Sequence, residues 1–188
     1  EMSPLEVAQL YQTIANKGQY KELAAISAIT GQLGEPVYQR KAKAQAKVDA
    51  SAAYLLQYAM QQSTQTGTAQ SLSQQFPRQR FAGKTGTSSD YRDSWFSGFD
   101  QQTLTTVWLG RDDNKTIGLT GATGALGVFS RYYSLQPPDS LIRAMPEQVS
   151  LQAFSLNSGY AEAQNCLNIL LLPAISVEMP VMTQCTEE

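Results

Sequence analysis

The sequence predicts an α+β fold in which helices pack on an antiparallel sheet. Two segments carry apolar residues at helical spacing and begin with clear capping signals. Three short runs rich in aromatic and β-branched residues follow one another with only short polar turns between them. Because short connections join antiparallel neighbours, these runs predict a three-stranded meander. A further helix follows the strands, so helices and strands are segregated along the chain.

The first helix begins after Ser3 and covers "PLEVAQLYQTIA". Ser3 is the predicted N-cap, Pro4 takes the first helical position and Glu6 completes a capping box. Gly18 is predicted to end this helix. The next segment, "ELAAISAITGQLGEPVYQ", predicts a hairpin with a four-residue turn at 31–34. The polar run "RKAKAQAKV" predicts a solvated connector, with a basic ligand-binding patch as its alternative.

The second helix covers "DASAAYLLQYAMQQSTQTG", with Asp49 as its cap and Gly67 at its end. Its spacing predicts an inward stripe formed by Tyr54, Leu55, Tyr58 and Ala59. The following run, "TAQSLSQQFPRQ", is polar and predicts a loop.

The meander consists of "RFAGKTGT", "SWFSGF" and "LTTVWLG", with a turn at 100–102. Next, "TIGLTGATGALGVFSRYYS" predicts a helix whose glycines let it lie close to the sheet; they are Gly118, Gly121, Gly124 and Gly127. From Leu135 onward prolines interrupt the chain. We therefore expect two parts, residues 1–134 and an extended tail at 135–188, in which only "CLNILLLP" predicts a buried strand.

Composition excludes several classes of function. The chain has 188 residues, a net charge of −2 and no histidine. The missing histidine excludes Ser-His-Asp, Cys-His and HExxH machinery within the chain, so a nucleophile would need another base, for which lysine is the usual replacement. The slightly acidic balance argues against nucleic acid as a partner. No apolar run is long enough for a transmembrane helix.

The tripeptide Lys84-Thr85-Gly86 is the main candidate for chemistry. The alternative is a purely structural role, with Lys84 as a surface lysine on an edge strand. A phosphate loop is excluded because position 78, where it needs a glycine, holds arginine, and because such a lysine should open a helix. The glycines at 118–127 lack the G-x-G-x-x-G spacing of a dinucleotide site.

The block "GKTGTSSDYRDSWFSGF" resembles the K-T-G active-site motif of penicillin-binding transpeptidases and serine β-lactamases. Similarity extends on both sides. "MSPLEVAQLYQTIANKG" and "AAYLLQYAMQQSTQTGTAQSL" resemble the helices before that motif in bifunctional class A penicillin-binding proteins. "TTVWLGRDDN", "TGATGALGVFSRYY" and "NCLNILLLP" resemble the segments after it, the last of them in Gram-negative members. The resemblance covers nearly the whole chain and implies a partial penicillin-binding transpeptidase fold.

The resemblance implies roles for five residues in serine acyl transfer on peptidoglycan stem peptides. Lys84 supplies positive potential and helps to relay a proton. The hydroxyls of Thr85 and Thr87 hold the substrate carboxylate, and the Thr87 N–H forms half of an oxyanion hole. Gly86 keeps the floor of the cleft flat, and Ser88 is expected to contribute to substrate binding.

The chain departs from the family pattern because no serine has a lysine three residues later, so S-x-x-K is absent. The only S-x-N, Ser155-Leu156-Asn157, follows K-T-G instead of preceding it, and we interpret it as accidental. We therefore expect a fragment of a longer protein, inactive alone, with the nucleophile and second motif upstream. The rival hypothesis is a non-catalytic module that docks a regulator of cell-wall synthesis.

Further expectations follow from the resemblance. Cys166 and Cys185 should form a disulfide in the periplasm, with two free thiols as the alternative. The parent protein should carry a glycosyltransferase domain and an inner-membrane anchor. Its expected partners are stem peptides, lipid-linked precursors, β-lactams, the upstream part of the same protein and outer-membrane lipoprotein regulators. No metal and no cofactor is expected.

Overall fold

The computed structural model describes residues 2–175 and residue 185. Within these residues the helices are α1 at Pro4–Ala15, α2 at Ala50–Gln65, α3 at Ser71–Gln75 and α4 at Ala125–Leu135. The first strands are β1 at Gln19–Tyr20, β2 at Ala28–Thr30, β3 at Pro36–Gln39 and β4 at Gln45–Ala46. The others are β5 at Ala82–Thr87, β6 at Ser94–Phe99, β7 at Leu104–Leu109, β8 at Val149–Ser155, β9 at Ala161–Glu162 and β10 at Ile169–Ile175.

Helix α1 has the predicted capping box. The Ser3 hydroxyl accepts from the Glu6 N–H at 3.3 Å, and the Glu6 carboxylate accepts from the Ser3 N–H at 2.7 Å. This backbone hydrogen bond favours the charged carboxylate and lowers the pKa of Glu6 below its ordinary value. The helix ends at Ala15, and Gly18, with φ of 82°, carries the chain away in the left-handed region.

The predicted hairpin is confirmed, because β2 and β3 pair antiparallel. The turn closes through hydrogen bonds from Gly34 N–H to Gly31 O and from Gly31 N–H to Glu35 O. The connector prediction is wrong in part. Residues 45–46 form β4 and pair with β1, although they remain exposed.

Helix α2 begins where predicted, because the Asp49 carboxylate accepts from the N–H groups of Ser51 and Ala52. The predicted inward stripe is wrong. The buried positions are Ser51, Ala53, Gln57, Met60 and Thr64, while Tyr54, Leu55 and Tyr58 are only half-buried and Ala59 is exposed. Two polar residues on this face donate to backbone oxygens: the Gln57 amide donates to Ile14 O and the Thr64 hydroxyl donates to Phe81 O, although Gln57 Oε1 has no partner among the described residues.

The predicted loop after α2 contains the short helix α3. Leu72 of α3 and Ala69 before it are fully buried. They join the aromatic cluster beneath the central sheet, and Phe76 at the end of α3 packs against it. The apolar side chains of this polar run therefore fold it against the core.

The central sheet confirms the meander, with strand order β5-β6-β7 and antiparallel pairing throughout. On one face Ile14 and Met60 pack with Ala82 and Phe99. Because side chains alternate along a strand, Phe96 lies on the other face, where it packs against α4. The Phe96 and Phe129 rings meet edge to face with centroids 4.7 Å apart.

Helix α4 starts at Ala125, later than its sequence suggests. The glycines at 118, 121 and 124 lie in the loop before it and at its cap. Gly124 supplies no side-chain cap. Instead the buried Ser94 hydroxyl on β6 accepts from the Ala125 N–H at 2.9 Å and donates to Thr120 O at 2.7 Å. The first free N–H of the helix is thus satisfied by the sheet on which the helix packs.

The C-terminal part contains a second three-stranded antiparallel sheet, with the order β10-β8-β9. The sequence predicted only β10, and two features differ from expectation. Strands β8 and β9 replace part of the expected extended tail, and Leu170 and Leu171 are 48% and 46% exposed where a buried strand was expected. The boundary between residues 134 and 135 stays a prediction.

Candidate functional site

The five predicted site residues lie on β5 and in the turn after it. In the pairing register, Lys84 faces Ser97, Gly86 faces Trp95 and Thr87 faces Ser94. Among the described residues β5 has a strand neighbour on one side only, so it is an edge strand. An edge strand presents unpaired backbone groups that a second extended chain can bind.

Lys84 is exposed and lies on the face of the sheet that carries α1. Its Nζ donates to the backbone oxygen of Thr85 at 2.9 Å. Beside it lies an apolar groove of about 410 Å³ between α1 and α2. The lining residues are Leu10, Tyr11, Ile14, Leu56, Ala59, Met60, Ser63 and Lys84 itself. Lys84 is therefore the one charged residue among the described residues that line a mostly apolar groove.

A second hollow of about 370 Å³ lies along the sheet, with Lys84, Gly86 and Trp95 in its wall. Ser97 also lines it but is 3% exposed, and its hydroxyl is 2.7 Å from Thr106 Oγ1. A buried, paired hydroxyl is a poor nucleophile, so Ser97 does not replace the missing S-x-x-K serine.

Thr85 and Thr87 point to the opposite face, as their spacing predicts. Each hydroxyl has one partner outside the sheet. Thr85 Oγ1 lies 2.8 Å from Thr68 Oγ1, and Thr87 Oγ1 accepts from the Gly121 N–H at 2.9 Å. The two hydroxyls are therefore held from separate loops.

Gly86 is the position where another part of the chain approaches β5. A Cβ built on Gly121 would lie 2.7 Å from Gly86 O, 2.8 Å from Gly86 N and 2.6 Å from Trp95 O. The loop before α4 thus lies directly on β5 and β6. The prediction that glycines allow close packing on the sheet holds for Gly121 and also for Gly124, where an added Cβ would lie 2.6 Å from the Ser94 hydroxyl oxygen. It is wrong for Gly118 and Gly127, where nothing lies within 4 Å of an added Cβ.

Ser88 closes the turn between β5 and β6. Its hydroxyl accepts from the Asp93 N–H at 2.8 Å, and its own N–H donates to Asp93 O at 3.1 Å. In the same region Trp108 Nε1 donates to the Asp93 carboxylate at 2.9 Å. Ser88 therefore fixes the end of the strand, and its predicted contact with substrate stays a prediction.

The other sequence candidates lie outside this site. The Ser155 hydroxyl accepts from the N–H groups of Asn157 and Ser158 at the end of β8. It therefore closes a turn, which agrees with the interpretation that the S-x-N match at 155–157 is accidental. Cys166 and Cys185 are joined by a disulfide with Cα atoms 5.5 Å apart. The described residues contain no cluster of His, Cys, Asp and Glu suited to a metal, and none of their helices could cross a bilayer.

The sequence did not reveal the contact of Thr68 with Thr85 or the hydrogen bond from Gly121 N–H to Thr87 Oγ1. Thr68 lies in a Gly-Thr turn that resembles the family, but nothing local shows that its hydroxyl reaches Thr85, 17 residues away. The lining of the apolar groove was missed as well, because it combines residues from two helices far apart in sequence.

Comparison of the sequence with known proteins identifies its family. A family model described as the penicillin-binding protein transpeptidase domain matches residues 1–116. Penicillin-binding protein 1B of Vibrio cholerae is 39% identical over 184 residues, which is 98% of this chain and 24% of that protein. Penicillin-binding protein 1B of Escherichia coli is 40% identical over 149 residues, 79% of this chain and 18% of that protein. The chain thus spans a quarter or less of either relative.

Solved structures confirm the α+β fold. The crystal structure of penicillin-binding protein 1A from Haemophilus influenzae matches with a TM-score of 0.83 at 19% identity, over 99% of this chain and 33% of that one. The imipenem acyl-enzyme complex of penicillin-binding protein A from M. tuberculosis matches with a TM-score of 0.52 at 23% identity, over 72% of this chain and 32% of that one. The family model covers more than half of the sequence, and the chain belongs to the penicillin-binding protein transpeptidase family.

Proposed function

We propose that this chain forms the substrate-holding wall of a serine D-Ala-D-Ala transpeptidase that crosslinks peptidoglycan stem peptides. The observation that carries the proposal is the open edge of β5: Lys84 lies on one face beside an apolar groove, and Thr85 and Thr87 lie on the opposite face. The nucleophilic serine comes from upstream sequence. Its oxygen attacks the D-Ala-D-Ala carbonyl, an ester forms, and D-Ala leaves with a proton.

Residues of β5 hold the substrate during this step. The stem peptide adds to the free edge as a strand, and its terminal carboxylate meets the hydroxyls of Thr85 and Thr87. The Lys84 ammonium supplies positive potential where negative charge develops. The Thr87 N–H donates to the tetrahedral oxyanion, and a donor of this kind is worth on the order of 3 kcal/mol in the transition state.

The upstream element that bears the serine is proposed to bind in the apolar groove. The walls of this groove are apolar on both α1 and α2, so an apolar helix would bury them, and Lys84 lies at its rim. A serine at the end of such a helix would face the ammonium and the β5 edge together. An amine from a second stem then attacks the ester, which releases the serine and forms the crosslink.

The wider assignment rests on the family. We propose that the parent protein also carries a glycosyltransferase domain and acts at the periplasmic face of the inner membrane. Its ligands are stem peptides, lipid-linked precursors and β-lactams, and its regulators are outer-membrane lipoproteins. Residues 1–134 complete the transpeptidase domain, and residues 135–188 follow it as a separate part. The chemistry needs no metal or cofactor.

Replacement of Lys84 in the complete protein tests the proposal. In Lys84→Ala, acylation by a fluorescent penicillin should slow by several hundredfold, about 3–4 kcal/mol of transition-state stabilisation. Lys43→Ala is the control, because Lys43 is also exposed but lies outside the site. Equal rates in both variants would remove Lys84 from the mechanism. A complete protein that takes up no penicillin would instead support the regulator-docking module.

A further inference from the structure

Thr68 is held in a defined place beside the K-T-G strand. It follows the end of α2, in a turn closed by hydrogen bonds from Ala69 N–H to Ser63 O at 3.1 Å and from Gln70 N–H to Gly67 O at 3.0 Å. Ala69 is fully buried and anchors the turn in the core. The Thr68 hydroxyl is therefore presented to Thr85 by an ordered backbone.

We propose that Thr68 is a positioning residue that orients the Thr85 hydroxyl toward the substrate carboxylate. This inference rests on the proposed function. A carboxylate only accepts hydrogen bonds, so Thr85 must donate its single proton to it. The Thr85 oxygen then has to accept from Thr68, whose hydroxyl lies 2.8 Å away. Thr68 thus donates to Thr85, and Thr85 donates to the substrate.

The environment of Thr87 supports this direction of donation. Its partner is the backbone N–H of Gly121, which can only donate. The Thr87 oxygen is therefore an acceptor in that bond, and its own proton is left for the substrate. With Thr68 as donor, the hydroxyls of Thr85 and Thr87 each accept one hydrogen bond from the protein and keep their own proton for the substrate. Chains of hydrogen bonds also polarise one another, so each bond strengthens the next.

Substitution of Thr68 in the complete protein tests the inference. Thr68→Val keeps the shape and removes the donor, so acylation by a carboxylate-bearing penicillin should slow about five- to tenfold, the effect of one hydrogen bond. Thr68→Ser restores the hydroxyl and should stay within about twofold of the unmodified protein. Thr66→Val is the matched control, since the Thr66 hydroxyl donates to Gln62 O within its own helix end. Rates are taken per titratable active site, so unfolded material does not affect them.

A double-mutant cycle separates positioning from a merely structural role. If Thr68 acts through Thr85, Thr68→Val should have no further effect in a Thr85→Val background. Full additivity of the two changes, or an unchanged rate in Thr68→Val alone, would overturn the inference. A slow Thr85→Val with a normal Thr68→Val would reject only the positioning role. A normal rate in Lys84→Ala and Thr85→Val would reject the proposed function itself.

Discussion

Substitution of Gly121 by alanine should disturb the site from the side of the loop before α4. Gly121 does not adopt the left-handed conformation, so alanine fits its backbone and the cost is steric. The added Cβ would lie 2.6 to 2.8 Å from three backbone atoms, Trp95 O, Gly86 O and Gly86 N. None of these atoms can rotate away, so the loop or β5 must move.

The cost follows from overpacking of a tight contact, which is typically about 1–3 kcal/mol. Because all three neighbours are backbone atoms, we expect about 3 kcal/mol, a loss of roughly 6–12 °C in Tm for a domain of about 150–250 residues. Movement of the loop would also break the bond from Gly121 N–H to Thr87 Oγ1. Penicillin acylation should therefore fall about five- to tenfold as well.

Gly127→Ala is the matched control, because Gly127 is a helical glycine with nothing within 4 Å of the added Cβ. Alanine there should stabilise α4 by about 0.5–1 kcal/mol. Calorimetry of the complete protein gives Tm, and a fluorescent penicillin gives the acylation rate. If Gly121→Ala melted at the unmodified temperature, or if Gly127→Ala were as destabilising, the packing argument would be wrong.

Two further predictions concern the disulfide and pH. The intact protein should be lighter by two hydrogen atoms without reductant, and replacing Cys166 and Cys185 by serine should lower the unfolding free energy by about 3 kcal/mol; equal masses would exclude the bond. The hydrogen bond from Arg111 holds the pKa of Asp113 at about 2. Because the pKa of Asp113 is lower in the folded protein than in the unfolded chain, the ion pair stabilises the folded state at pH values above the unfolded-state pKa. That contribution is lost as the pH falls through about 2, where the folded-state carboxylate becomes protonated. Arg111→Gln should raise the carboxyl pKa in an NMR titration, and an unchanged value would contradict the pairing.

Local signals made much of the fold predictable. The capping box of α1 needs only Ser3 and Glu6, three residues apart, and the structure forms it as the spacing predicts. The meander is equally local, because short turns leave antiparallel pairing as the only simple arrangement. The K-T-G residues could be singled out as candidates for the same reason, since they are consecutive.

The errors arose where partners are distant in sequence. Gln57 and Thr64 are polar but buried, because they bond to backbone oxygens on α1 and next to β5. Apolar spacing cannot detect such pairs, so the buried face of α2 was misplaced. Strand β9 has two residues and needs β8 to exist. Ser94 caps α4 although it lies 31 residues earlier in the chain, and the sequence of the helix itself gives no sign of this cap.

The open edge of β5 has a cost for the molecule. Under the proposed function this strand admits a peptide, so no permanent neighbouring strand can cover its edge. Its protection must then come from its own features: it is six residues long and carries the charge of Lys84. A bound stem peptide would occupy the same backbone groups through which two such strands would pair, so substrate binding and strand-to-strand association would exclude each other.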